Sequence, residues 1–407
     1  MANHIRESEK KHHAVRRGGN SKAAAFTAAV KSPTQIPGLY IHVPFCVRKC
    51  LYCDFVSVPI EKNLVEKYLY ALEKEIKLRC RNLRPVTIYI GGGTPTSLPE
   101  KDLQTLLRII TANLNLSQIT EFTVEANPGT LSQKKVKILK NAGGNRVSVG
   151  AQSFNNSALK MLGRIHTPQQ TVQSVQILRE SGFQNINLDL IFSVPGTTLK
   201  LWEKDLQCAI SLKPRHISTY CLTYEKGTVL AEKSRTGSIN PVPEKEEAAM
   251  YKTAIKILSD AGYRQYEISN FAIPSFECRH NLDTWNYREY IGLGPGAASF
   301  IAGRRMRNIS DILKYCELTE NRCSAATRSE HLTGKRKAGE VLMLALRTIS
   351  GITESEFAQR TGLSLTAEFA KEIKDLSEQK LISFSRGRLR LTKRALLFAD
   401  SVLALFI

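Results

Sequence analysis

Tyr40-Ile41-His42-Val43-Pro44-Phe45-Cys46-Val47-Arg48-Lys49-Cys50-Leu51-Tyr52-Cys53-Asp54-Phe55 places three thiols, Cys46, Cys50 and Cys53, behind a short β-branched run. Three residues separate the first pair and two the second, so the thiols can curl around one polynuclear iron centre. Thiolates are the ligands of iron–sulfur clusters, and a four-iron cluster takes four of them. Only three stand here, which leaves one iron with an open position for a small molecule. Tetrahedral zinc is the rival reading, but zinc motifs usually pair a CxxC with a second Cys or His pair farther on. No such pair stands at the right spacing.

Outward from this run the chain alternates short β-branched stretches with helical periods. Strands are expected at 39–43, 86–90, 121–125, 146–149, 186–190 and 216–222. Between them lie patterns such as Leu64-Tyr68-Leu72-Ile76 and Val172-Val175-Leu178, apolar at helical steps. Strand–helix repetition gives a parallel sheet with right-handed crossovers, and six repeats are too few for a closed eight-fold barrel. The fold class is therefore α/β, an open partial (β/α)6 barrel whose site lies at the carboxyl ends of the strands. Glu125, Gln152 and Asp189 fall at or just past such ends. Ile88-Tyr89-Ile90-Gly91-Gly92-Gly93-Thr94-Pro95-Thr96 ends another strand in glycines, which let a backbone approach a ligand closely and offer it N–H and C=O groups.

The remainder divides into three expected parts: a disordered basic arm at 1–36, the barrel at 37–240, and a carboxy-terminal α+β domain at 241–407. In the last, 244–258 reads as a helix, and Gly292-Leu293-Gly294-Pro295-Gly296 as a tight turn packing under the site. Segments 352–363 and 369–380 read as helix–turn–helix. Residues 381–392 alternate about Gly387 as a hairpin wing, so this domain ends in a winged-helix-like bundle. Arg386, Arg388 and Arg390 share one face of the wing and could meet phosphates, though a solvated face is the preferred reading. The chain has 407 residues, 42% of them hydrophobic, enough for two cores. No apolar run reaches membrane-spanning length. Nine cysteines, an odd number, argue against a disulfide framework and for a reducing cytoplasm. A net charge of +21 fits anionic partners or solvated helix faces, and the latter is preferred.

Five further segments stand beside the cysteine run that opens at Tyr40 and the glycines: Glu125-Ala126-Asn127-Pro128-Gly129, Gly150-Ala151-Gln152-Ser153-Phe154, Leu162-Gly163-Arg164-Ile165-His166, Asn187-Leu188-Asp189-Leu190-Ile191, and Cys278-Arg279-His280-Asn281. Together they resemble the radical S-adenosylmethionine superfamily, whose signature is CxxxCxxC after the first barrel strand. Within it they resemble the coproporphyrinogen dehydrogenase-like branch and its HemW-type haem chaperones, over about residues 37–407. The resemblance implies a [4Fe–4S] cluster on Cys46, Cys50 and Cys53 with S-adenosylmethionine on the fourth iron. It implies cofactor contacts from Tyr40, Tyr52, Gly92, Gly93, Thr94, Glu125, Gln152, Arg164 and Asp189. Carboxylates suit a ribose diol and a cationic sulfonium, and Arg164 suits a carboxylate. Residues 278–285 resemble the HNxxYW segment through which HemW-type proteins are thought to bind haem. His280 would be the iron ligand, beside Asn281 and Trp285; Thr284 replaces the tyrosine of the pattern and removes one aromatic wall.

Two departures separate the function classes within this branch. The dehydrogenases carry a fourth cysteine two residues after the third, where this chain has Phe55. Their porphyrinogen-binding amino-terminal segment is also expected to be missing, since only the basic arm precedes Tyr40. The implied function is a haem chaperone that delivers haem to haem-requiring proteins. The alternative is an oxygen-independent coproporphyrinogen III oxidase, and a more distant one is a nucleic-acid-modifying radical enzyme. Expected partners are haem or porphyrin and haem-accepting proteins, not nucleic acid; a homodimer and a peripheral membrane contact stay open.

Overall fold

A computed structural model describes residues 38–81, 83–321 and 323–407; the expected basic arm lies outside them. Two compact units emerge, one running to residue 284 and including Arg288–His331, the other made of Trp285–Tyr287 and Leu332–Ile407. The boundary thus falls at 331/332, whereas the sequence pattern places it at 240/241. The reason is sheet continuity: the strands beyond residue 241 join the edges of the barrel sheet.

Six strands carry the first unit: β1 (Gly38–Val43), β2 (Thr87–Gly92), β3 (Glu121–Ala126), β4 (Arg146–Gln152), β5 (Asn185–Phe192) and β6 (His216–Cys221). They pair in parallel in chain order, at positions close to those expected. Beside β6 lie the antiparallel β7 (Arg264–Gln265) and β8 (Asn270–Ala272). Beside β1 lies β9 (Tyr290–Leu293), a seventh parallel strand, followed by antiparallel β10 (Ala298–Ile301), β11 (Arg304–Asn308) and β12 (Ala326–His331). The sheet stays open, with β12 and β7 at its edges. At four residues, running straight into the glycine turn, β9 is too short for a sequence pattern to reveal it.

Crossover helices turn apolar stripes to the sheet. The helix α1 (Lys62–Arg79) buries Val65, Tyr68, Leu69, Leu72 and Ile76, and α2 (Glu100–Asn113) buries Leu103, Leu106, Leu107 and Ile110. Helices α3 (Gln133–Asn141), α4 (Asn156–Leu162) and α5 (Pro168–Glu180) start on Ser132, Asn155 and Thr167, whose side chains accept from orphan N–H groups of the first turn. Glu75 of α1 ties the added strands to the barrel. Its carboxylate accepts from Arg79, Asn308, Tyr315 and the Gly294 N–H, all within 2.9 Å. A buried carboxylate needs this many donors to offset its lost hydration.

In the second unit, helices at Glu354–Thr361, Leu365–Glu368 and Ala370–Glu378 accompany the hairpin Ile382–Ser385 with Arg388–Leu391. Arg386 and Gly387 turn it with φ of 50° and 69°, as a two-residue hairpin requires. Ile352 pairs with Leu389, completing a winged arrangement over Phe357, Phe369 and Phe406. Among the described residues no helix is long and apolar enough to cross a membrane.

Candidate cluster and cofactor site

Past β1 the chain enters the cysteine loop, which is tied down on all sides. Phe45–Cys46 pairs in parallel with Val58–Pro59 and closes the loop at its neck. The Leu51 N–H donates to the Leu162 carbonyl at the end of α4, and the Leu51 carbonyl accepts from the Leu230 N–H. Within the loop the Cys53 N–H reaches the Cys50 carbonyl at 3.2 Å. All nine cysteines are free, and the three of the loop are half-buried. Burial raises the Cys46 thiol and pushes Cys53 up to about 12, and the neighbouring thiols push the same way. A metal centre reverses that preference, since it binds the thiolate.

This donor set fits an iron–sulfur cluster. It offers three half-buried free thiols from one short loop, and thiolates are the ligands of such clusters. Phe55, where a fourth cysteine would stand, is exposed.

The glycine segment locks onto this loop. Gly93 donates its N–H to Val43 at 2.8 Å and Thr94 to Phe45 at 2.7 Å, while the Gly92 N–H points at Glu125 Oε2 at 3.2 Å. On the sequence the glycine N–H groups stand ready for a ligand; in the fold both, and that of Thr94, are engaged internally. Close approach is what demands glycine. A Cβ on Gly91 would meet the Glu125 carboxyl carbon at 2.8 Å, and one on Gly93 the Phe45 carbonyl oxygen at 2.5 Å. Gly92 has φ +111°, which side chains rarely adopt, and lies against the ring of His42.

His42 is a site residue the sequence reading missed. Its Nε2 lies 2.7 Å from the Val56 carbonyl, which can only accept, so Nε2 carries the proton and Nδ1 accepts from the Tyr40 hydroxyl at 3.0 Å. Burial holds the imidazole neutral, down to about 4. It thereby braces the return of the cysteine loop against β1 and the glycines. An alternating strand pattern marks such a histidine only as an inward position.

The barrel strands and the loops after them supply the rest of the mouth. Glu125 accepts from Tyr89 at 2.8 Å, and burial, helped by Asp189, pushes its carboxyl up to about 7. Burial and Glu125 likewise raise the phenol of Tyr40. Asp189 accepts from Ser148 and Asn187, each at 2.8 Å, and burial raises it too. Gln152 follows a register shift in β4 and takes φ +62°, a strained conformation of the kind that gathers at functional sites. Arg164 donates to Asn127 at 2.6 Å and to the Gly150 carbonyl at 2.7 Å, and it approaches Cys50 Sγ at 3.5 Å. Tyr52 also hydrogen-bonds this guanidinium, while burial raises its phenol. Asn127, a second missed residue, joins Arg164 to Thr94, whose hydroxyl lies 3.7 Å from Cys46 Sγ. The structure therefore brings Tyr40, Tyr52, Gly92, Gly93, Thr94, Glu125, Gln152, Arg164 and Asp189 to the strands and loops around one mouth.

His280 and Asn281 are not part of that mouth. His280 contacts the opening residues of three strands: its Nδ1 lies 2.9 Å from Thr87 Oγ1, its N–H donates to Glu121, and its ring fills the space beside Gly38. A six-residue strand spans about 20 Å, so this is the far end of the barrel from Cys46. Glu121 also accepts from the Arg279 N–H at 3.0 Å, capping the helix Arg279–Trp285 with a carboxylate at its positive end. The imidazole is buried and pushed down to about 4. As folded the ring is buried at the base of the barrel, between Thr87 and Tyr89. Trp285 belongs to the second unit, where the Arg347 guanidinium lies 4.8 Å from its ring centre.

An open parallel barrel with a three-cysteine loop at its carboxyl mouth is the architecture of a radical S-adenosylmethionine protein, and residues 40–209 match the radical SAM superfamily. Residues 332–398 match the HemN C-terminal domain. The "Heme chaperone HemW" of Bacillus subtilis is 39% identical over 372 residues, which is 90% of this chain and 98% of the relative. The Lactococcus lactis protein of the same name is 37% identical over 371 residues, 90% of this chain and 96% of that one. The coproporphyrinogen III oxidase HemN of Escherichia coli shares the fold, with a TM-score of 0.81, 22% identity, and coverage of 93% of this chain and 91% of that chain. The chain belongs to the HemW family of the radical SAM superfamily.

Proposed function

We propose that this protein is a haem chaperone: it binds haem and hands it to haem-requiring proteins in a reducing, cytoplasmic setting. The observation that carries the reading is the match to HemW proteins over nine-tenths of this chain and nearly all of each relative. Phe55, in place of the fourth cysteine of the dehydrogenases, supports it.

Cys46, Cys50 and Cys53 would hold a [4Fe–4S] cluster, with S-adenosylmethionine beside it against Tyr40, Tyr52, Gly92, Gly93, Thr94, Gln152 and Arg164. When bound, that pair supplies one-electron reductive chemistry. Glu125 and Asp189 are ready to take a cationic ligand: burial disfavours their charge, and a sulfonium would restore it. His42 and Asn127 hold the loop and Arg164 in place. Anaerobic reconstitution, haem titration, and transfer of bound haem to an apo-haem protein test the proposal. Conversion of coproporphyrinogen to protoporphyrinogen under the same conditions would favour the oxidase reading, which the shared HemN fold keeps in view.

A further inference from the structure

A cavity of about 340 Å³ opens behind the cysteine loop, between it and the turn after α4, lined among others by Arg48, Leu51, Leu159, Lys160, Gly163 and His166. None of its lining residues is acidic. The side chains of Arg48 and Lys160 are exposed and make no hydrogen bond or ion pair with the described residues. The chain neighbours of two lining residues, Val47 and Ile165, are apolar and each 59% exposed. Two free cations beside an apolar wall, with further apolar surface next to it, match an amphipathic ligand that carries carboxylates on one edge.

Nitrogen ligation is not on offer there. His166 Nε2 lies 3.0 Å from the Ala151 carbonyl, so it is the donor, and its Nδ1 faces the Arg164 Nε at 3.4 Å. Arg164 also lines the cavity, but its guanidinium is engaged by Asn127, Gly150 and Cys50. The core histidine His280 lies at the opposite end of the strands. Resting on the haem-chaperone reading, we propose that this cavity takes the propionate edge of a tetrapyrrole, with Arg48 and Lys160 pairing its two carboxylates and no axial ligand from this site. The ring plane would lie over the exposed apolar side chains. Binding through the carboxylate edge leaves the iron free for an acceptor's own ligand, as transfer requires.

Haem, haem dimethyl ester and iron-free protoporphyrin are titrated against the full chain, Lys160→Glu and Arg48→Glu/Lys160→Glu, with iron and sulfide content measured in parallel. Lys160 lies outside the cysteine loop, so its variant reads the site even where Arg48→Glu disturbs the cluster. The expected result is that the ester binds at least about tenfold more weakly than haem, and that the double variant loses a similar factor for haem but not for the ester. Iron-free protoporphyrin should bind nearly as well as haem. Equal binding of haem and ester, or haem affinity indifferent to both variants, overturns the site while leaving the chaperone reading intact. Failure of the unmodified protein to bind haem at all overturns that reading and the site with it.

Discussion

Replacing Gly93 by alanine would strike the joint between the glycine segment and the cysteine loop. A Cβ there would stand 2.5 Å from the Phe45 carbonyl oxygen and 2.9 Å from that residue's carbonyl carbon and nitrogen. Ordinary contact begins near 3.4 Å, so the backbone just before Cys46 must give by roughly 0.5–0.9 Å. Backbone cannot swing aside as a flexible side chain does. Overpacking of this kind costs about 1–3 kcal/mol. The shift also stretches the Gly93–Val43 and Thr94–Phe45 hydrogen bonds, at about 1 kcal/mol each. A loss of about 3–5 kcal/mol in unfolding free energy follows, read as a lower denaturation midpoint at unchanged slope. Reconstituted Gly93→Ala should also hold less iron and sulfide, because the displaced residue adjoins a ligand cysteine. Gly91→Ala is the contrast. Its Cβ meets the Glu125 carboxylate instead, so the cluster should form while S-adenosylmethionine binds more weakly. A Gly93→Ala protein with full iron content and stability within 0.5 kcal/mol of the parent, the usual range for a neutral surface change, would refute the reasoning.

Each of Cys46→Ala, Cys50→Ala and Cys53→Ala should abolish the cluster in anaerobic reconstitution; a variant that keeps four irons would show that its thiol is not a ligand. Glu125 gives a pH test. Burial pushes its folded carboxyl up to about 7, from an ordinary value of 4.5, so the folded state binds the proton more tightly and ligand-free stability falls as pH rises between those values. Glu125→Gln should therefore raise the melting temperature at pH 8 and change little at pH 5, an effect of about 2 kcal/mol; equal effects at both pH values would contradict it. His280→Ala removes a buried ring and the partner of Thr87, so a loss of about 2–4 kcal/mol in denaturation is expected. Haem affinity per folded molecule should stay unchanged, and a lost or shifted Soret band would instead restore His280 as a ligand.

Much of this protein is legible along the chain because the signals are local. The cysteine spacing, the strand–helix alternation and the wing about Gly387 each depend on neighbours within a few residues. Period placed the six barrel strands, and Glu125 and Gln152 followed as strand-end residues; Asp189 lies inside β5, which runs on to Phe192. Tertiary structure decided what depends on distant segments meeting. The N–H groups of Gly92, Gly93 and Thr94 are free on paper and engaged in the fold, since β2 runs between β1 and β3. His42 and Asn127 become site residues only because their partners arrive from elsewhere: Val56 and Tyr40 for one, Thr94 and Arg164 for the other. The sharpest divergence is at His280. Its motif reads as a ligand in one dimension, but the chain returns past β8 to the amino-terminal ends of β1, β2 and β3, where a neutral imidazole satisfies Thr87 and fills space. A motif specifies which chemistry a side chain can perform; burial and partners determine whether the side chain remains available to perform it.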